Sequence, residues 1–115
     1  IRDKLVTGVQ RVLFRSVASW AKTLAGELAA HGITVNNVLP GFTRTQRLEQ
    51  IIEERVAATG KVRADIEAGM LASVPAARFA EAHEVAAAIA FLASPAASYI
   101  NGINVPVDGG RTQSL

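Results

Sequence analysis

The residues best placed to do chemistry are Thr43 and Thr45, just after Pro40-Gly41. Residues 33–39, immediately upstream, are rich in β-branched side chains and bounded by Gly32 and Pro40. That pattern predicts a short buried strand. In an open α/β sheet, ligands bind where the carboxyl end of a strand opens into a turn. The chemistry implied is recognition: glycine lets a backbone come close, and two hydroxyls can donate hydrogen bonds.

Other reactive side chains are isolated. His31 and His83 lie far apart with no carboxylate at ligand spacing, so no metal site is expected. Glu53 and Glu54 are neighbours on a helix and do not face each other, so they read as a solvated face. Arg78 could bind an anion; the stronger reading ties it to nearby carbonyls or to Glu84. Tyr99 is the one tyrosine, and no lysine follows it four residues on. A dinucleotide site needs a glycine-rich turn between a strand and a helix. Neither Gly8 nor Gly109-Gly110 has that context. No catalytic residue is therefore assigned within the chain.

The elements that must position the turn follow from periodicity. Residues 17–30 predict a helix with Val17, Trp20, Leu24 and Leu28 as its apolar stripe, ending at Gly32. Ala18, Ala21, Ala25 and Ala29 make a small face beside it, suited either to core packing or to a subunit interface. Residues 45–60 predict a second helix with Leu48, Ile51, Ile52, Arg55 and Val56 at helical spacing and Glu49, Glu53 and Glu54 outward. A short helix over 62–71 turns Ile66, Met70 and Leu71 inward. A last helix reaches Leu92, with Val85, Ile89 and Leu92 buried, and Ser94-Pro95 ends it. Asn101-Gly102 marks a turn, and residues 103–107 predict the final strand, with Pro106 at an edge or unpaired. Asp108-Gly109-Gly110 turns the chain out into a frayed tail from Arg111.

Composition excludes several classes. The 115 residues allow one domain with a modest core, and half are hydrophobic. With no cysteine there is no disulfide framework, and a cytoplasmic setting is the default. The longest strongly apolar run, 85–93, falls far short of the roughly 20 residues that span a bilayer. The formal charge of +2 is local. Residues 1–16 hold four basic residues and one acidic, leaving eight basic against nine acidic elsewhere. No nucleic-acid footprint remains, and neither nucleic acid nor membrane is expected as a partner.

Three runs, in order, resemble the short-chain dehydrogenase/reductase family. Leu24-Ala25-Gly26-Glu27-Leu28 leads to His31-Gly32-Ile33-Thr34-Val35-Asn36; Pro40-Gly41-Phe42-Thr43-Arg44-Thr45 follows; Tyr99-Ile100-Asn101-Gly102 then leads to Val107-Asp108-Gly109-Gly110. Pro75-Ala76-Ala77-Arg78-Phe79 before Glu84-Val85-Ala86 also fits the family's approach to its last long helix. The resemblance, which extends to 3-oxoacyl-carrier-protein reductase-like members, implies an α/β fold. The chain would be the carboxyl-terminal part of a Rossmann-like, doubly wound parallel sheet: its last two strands and flanking helices.

It further implies an NAD- or NADP-dependent oxidoreductase acting on a carbonyl or alcohol, working as a homo-oligomer, a dimer or homotetramer. Its catalytic Ser, Tyr and Lys would lie upstream of Val17, and this chain alone would be inactive. By the same resemblance the cofactor-binding residues are Pro40, Gly41, Thr43 and Thr45. Pro40-Gly41 would admit the nicotinamide ring, and the Thr43 backbone would hold its carboxamide. The Thr45 hydroxyl would bond the carboxamide or a phosphate oxygen. Tyr99 matches the family's structural tyrosine, and the helices after the Pro-Gly turn match its substrate lobe.

Residues 1–16 read differently. Val6-Thr7-Gly8-Val9-Gln10-Arg11-Val12-Leu13-Phe14-Arg15-Ser16 resembles a translated sequencing adapter, so 1–16 is expected to be a non-native leader before a domain at 17–115. The alternative is an amphipathic strand over 9–14. The competing functional classes are a non-catalytic α/β interaction module and a pseudoenzyme scaffold.

Overall fold

The computed structural model describes residues 2–113, with side chains from Arg15 onward. In order, the elements are α1 (Arg2–Leu28), a 3-10 turn (Ala29–His31), β1 (Asn37–Pro40), α2 (Gln46–Thr59) and α3 (Arg63–Leu71). They are followed by α4 (Ala82–Leu92), a 3-10 turn (Pro95–Ala97) and β2 (Asn104–Val107). β1 and β2 form a two-stranded sheet. Asn37 N–H donates to Ile103 O and Gly41 N–H to Val107 O, both at 2.9 Å. The equal step along both strands makes them parallel. Ile103 and Val107 thus face β1, so Pro106, of opposite parity, points its nitrogen away, where no donor is needed. The chain divides into two compact units, Ile1–Asn37 with Phe91–Val105, and Val38–Ala90 with Pro106–Leu115.

In the first unit, α1 begins well before the expected start at Val17, and the backbone at 9–14 is helical rather than a strand. The helix tightens over its last residues and stops at Gly32, whose φ of 73° is the left-handed cap foreseen. Its buried face is the small one: Ala21 and Ala25 are covered, whereas Val17 is exposed and Trp20 is 65% exposed. The expected Val17–Trp20 stripe is therefore not core among the described residues. Lys22 and Ala25 lie against Gly102, and the Asn101 side-chain amide donates to Ala25 O at 3.0 Å. Only a small side chain allows that approach.

The strand expected over 33–39 is shorter than expected. Before Asn37, one backbone bond, from Gly102 N–H to Val35 O at 2.9 Å, is joined by side-chain bonds in place of a regular ladder. Val35 N–H donates to Asn101 Oδ1 at 2.9 Å, and Ile103 N–H to Asn36 Oδ1 at 3.1 Å. Asn36 Nδ2 donates to Ile100 O at 3.1 Å. The two asparagines satisfy the backbone there, so strand pairing begins only at Asn37.

The second unit carries the main apolar cluster: Leu48, Ile52, Ile66, Met70 and Phe79, with Phe42, Val56 and Leu71 packed against it. Leu48, Ile52 and Val56 recur every four residues along α2, which puts them on one face. Full burial of each large side chain contributes about 1.5–3 kcal/mol. Arg63 joins α2 to α3, bonding Glu49 at 2.6 Å and Glu67 at 3.2 Å. The Phe42 and Phe79 rings meet edge to face, centroids 6.2 Å apart.

Along α4 the outcome differs from expectation. Val85, Ala88 and Leu92 are half-buried, but Ile89 is 53% exposed and no residue of the helix is fully buried. The stripe is therefore covered only in part by the described residues, and Ile89 is left out.

Arg78 ties the loop before α4, as expected. It grips both oxygens of Glu84, at 2.7 and 2.8 Å, and reaches Phe79 O at 3.3 Å. Glu84 Oε1 also accepts the Glu81 N–H at 2.9 Å, half of a capping box at the start of α4. The Arg78 hydrogen bonds, then that backbone donor, hold the Glu84 carboxyl at about 2 against an ordinary 4.5. A carboxyl depressed in the fold stabilises it above the ordinary value and loses that contribution as pH falls towards the depressed one. Acid unfolding should therefore contain a small component between pH 4.5 and about 2 that Arg78→Gln reduces. Superimposable acid curves for the two proteins would exclude it.

Candidate functional site

The turn after β1 lies within the second unit, and its geometry is set by β2. Gly41 is required there by sterics. A Cβ on it would stand 2.7 Å from both Cα and Cβ of Asp108. Packing inside the protein by itself calls for glycine here, apart from the expected cofactor approach.

Asp108 is a clamp. Its Oδ1 accepts Gly110 N–H at 3.0 Å, and its Oδ2 accepts both the N–H and the hydroxyl of Thr112, at 2.9 and 2.6 Å. The Thr112 hydroxyl is the main reason its carboxyl lies below the ordinary range. A carboxylate so fully engaged is suited to holding a loop rather than to moving protons. The tail expected to fray is accordingly held through Thr112, and the Arg111 guanidinium lies 4.4 Å from the Phe42 ring centroid. The signal was local: an Asp followed by Gly two residues on and Thr four residues on can close an Asx turn.

Thr43 forms an isolated parallel bridge with Ala80. Ala80 N–H donates to Phe42 O at 2.9 Å and Arg44 N–H to Ala80 O at 2.8 Å. Those bonds use the neighbours of Thr43 and turn its own N–H and C=O to the other side. Neither has a partner among the described residues. Side by side, one donor and one acceptor match a planar carboxamide. The Thr43 hydroxyl donates to Gly41 O at 3.0 Å, which stiffens the turn.

Thr45 is the N-cap of α2. Its Oγ1 accepts Leu48 N–H at 3.2 Å, leaving the hydroxyl proton free to donate outward. Pro40 ends β1 and is exposed. The structure thus brings Pro40, Gly41, Thr43 and Thr45 onto one turn. Thr45→Ala should cost about 1 kcal/mol of stability without any cofactor, through loss of the cap. Thr45→Ser should restore it, and denaturant midpoints decide. A Thr45→Ala protein as stable as the parent would remove the cap from the account.

Tyr99 is fully exposed, so the structural role implied for it is not filled by packing among the described residues. No three His, Asp or Glu side chains come together as a metal site among the described residues. No described helix is long and apolar enough to cross a membrane.

A family model described as Enoyl-(Acyl carrier protein) reductase matches residues 14–112. The 3-oxoacyl-(acyl-carrier-protein) reductase of Haemophilus influenzae is 45% identical over 94 residues, covering 82% of this chain and 34% of that protein. The chain therefore spans about a third of the length of such curated relatives. Among solved structures, YwfH, described as an NADPH dependent reductase involved in bacilysin biosynthesis, superposes with a TM-score of 0.80 at 36% identity. It is matched over 88% of this chain and 38% of its own. A short chain dehydrogenase family protein from Francisella tularensis gives 0.81 at 29% identity, over 86% of this chain and 41% of its own. The parallel pair β1–β2 and its helices are a piece of a Rossmann-like sheet, and by sequence and by fold the chain belongs to the short-chain dehydrogenase/reductase family.

Proposed function

We propose that this chain is the carboxyl-terminal part, residues 17–115, of an NADP(H)-dependent reductase that interconverts a carbonyl and an alcohol on a small substrate. Residues 1–16 are taken as a non-native leader. The observation that carries the reading is the outward-facing N–H and C=O of Thr43 beside Gly41, a matched pair for the cofactor's carboxamide. When bound, the nicotinamide supplies or receives the hydride.

This chain's residues orient that end of the cofactor. Thr43 holds it by backbone, Gly41 leaves room, and the free proton of Thr45 donates to a carboxamide or phosphate oxygen. The preference for NADP over NAD is supported by the NADPH-dependent relative. Proton transfer falls to a tyrosine outside these residues, because Tyr99 has no lysine four residues on. Exposed Val17 and Trp20 on α1 support assembly as a homo-oligomer, a dimer or tetramer, and a cytoplasmic setting fits the absence of cysteine. The test is the full-length protein from the native locus: NADPH should raise its melting temperature more than NADH and be oxidised with a 3-oxoacyl thioester. A melting temperature indifferent to both cofactors would overturn the reading.

A further inference from the structure

Three arginines of the second unit are held in ion pairs. Arg44 faces Glu81, Arg63 bridges Glu49 and Glu67, and Arg78 holds Glu84. Four cations of this unit have no ion-pair partner among the described residues: Arg47 and Arg55 on α2, Lys61 between α2 and α3, and Arg111 in the tail. Three of the four, Arg55, Lys61 and Arg111, line one open groove of about 330 Å³, together with Phe42 and Met70, and Asp65 is the only acid there. Chance scatter does not account for Arg111. The Asp108–Thr112 clamp fixes the tail, and the guanidinium is seated on the Phe42 ring.

Phe42 stands between Gly41 and Thr43 in the chain, so the groove opens one residue from the backbone assigned to the carboxamide. We infer that this groove receives the distal end of the substrate, and that this end is an oxyanion, carboxylate or phosphate, carried on a short apolar chain. Phe42 and Met70 take the chain; Arg55, Lys61 and Arg111 take the charge, three cations against one carboxylate. This rests on the cofactor reading only for which end of the substrate reacts, and the two can be tested apart.

The experiment is calorimetric titration of the full-length protein with hexanoate, hexyl phosphate and 1-hexanol at low salt, with NADPH titrated separately. Hexanoate and hexyl phosphate should bind about tenfold more tightly than hexanol, with a preference that shrinks as salt rises. Hexanoate should inhibit carbonyl reduction competitively with the substrate. Arg55→Gln and Lys61→Gln, at exposed side chains without ion pairs, should each lower the preference by up to about fivefold and leave hexanol and NADPH binding unchanged. A preference for only one of the two anions identifies the headgroup and supports the inference. Equal binding of all three probes, non-competitive inhibition, or a preference that survives the double variant overturns it. In the unsubstituted protein, an absent anion preference with NADPH still bound defeats the groove alone. Absent NADPH binding with the preference intact defeats the cofactor reading alone.

Discussion

Gly41→Ala is expected to destabilise the protein by about 3 kcal/mol, the upper part of the range for overpacking a tight contact. The added carbon would stand 2.7 Å from two Asp108 carbons, one of them backbone. Neither neighbour can swing aside like the end of a flexible side chain. Relief would require moving the strand end, where Gly41 N–H meets Val107 O at 2.9 Å, or the Asp108 clamp. Gly26→Ala is the control. It lies inside α1 with nothing within 4 Å of a new Cβ, so it should be neutral or stabilise by up to about 1 kcal/mol. Denaturant midpoints without cofactor separate the two. Weak cofactor binding in Gly41 variants would then follow first from a displaced turn, and only second from a crowded nicotinamide ring. A Gly41→Ala protein with parental stability and lost NADPH binding would reverse that order.

The 115-residue chain alone should neither bind NADP(H) measurably nor transfer hydride. The turn at Thr43 reaches only one end of a dinucleotide. The pyrophosphate, by contrast, is held in this fold class by a glycine-rich turn and a helix N-terminus. The chain has no such turn in strand–turn–helix context and no Tyr-x-x-x-Lys. Fused from Val17 behind the upstream half of a close relative, the same residues should complete a site. Ligand linkage then requires stabilisation, about 2.7 kcal/mol at a cofactor concentration one hundred times Kd. The comparison is of melting temperatures with and without millimolar NADPH, on the chain and on the fusion. A cofactor-dependent shift in the chain alone would favour a self-sufficient binding module.

What the sequence determined by itself is what local chemistry decides. The four-residue spacing of Leu48, Ile52 and Val56 implied the helix, with Thr45 and Gly60 as its ends, and α2 runs between them. Gly32 ended the first helix because a left-handed residue there favours glycine. Arg78 and Glu84, six apart across a helix start, were close enough in the chain to find each other. The ordered runs through Pro40-Gly41 and Asp108-Gly109-Gly110 were enough to place the family, which the comparisons bear out.

Tertiary structure decided what depends on partners distant in sequence. Asn36 and Asn101 each bond backbone groups more than sixty residues away, and their amides move the start of β1 to Asn37. Periodicity marked both an alanine face and a Trp20 face on α1, but only the approach of Gly102 and Asn101 shows that the alanines are covered. The same holds for Ile89, apolar and in phase yet left exposed by the partial cover over its stripe. At the site, sequence could place Thr43 on a turn. The bridge to Ala80, thirty-seven residues on, is what turns its donor and acceptor outward. Periodicity reports which side of an element is apolar; which side is covered is settled only by contacts that the chain makes after it has folded back on itself.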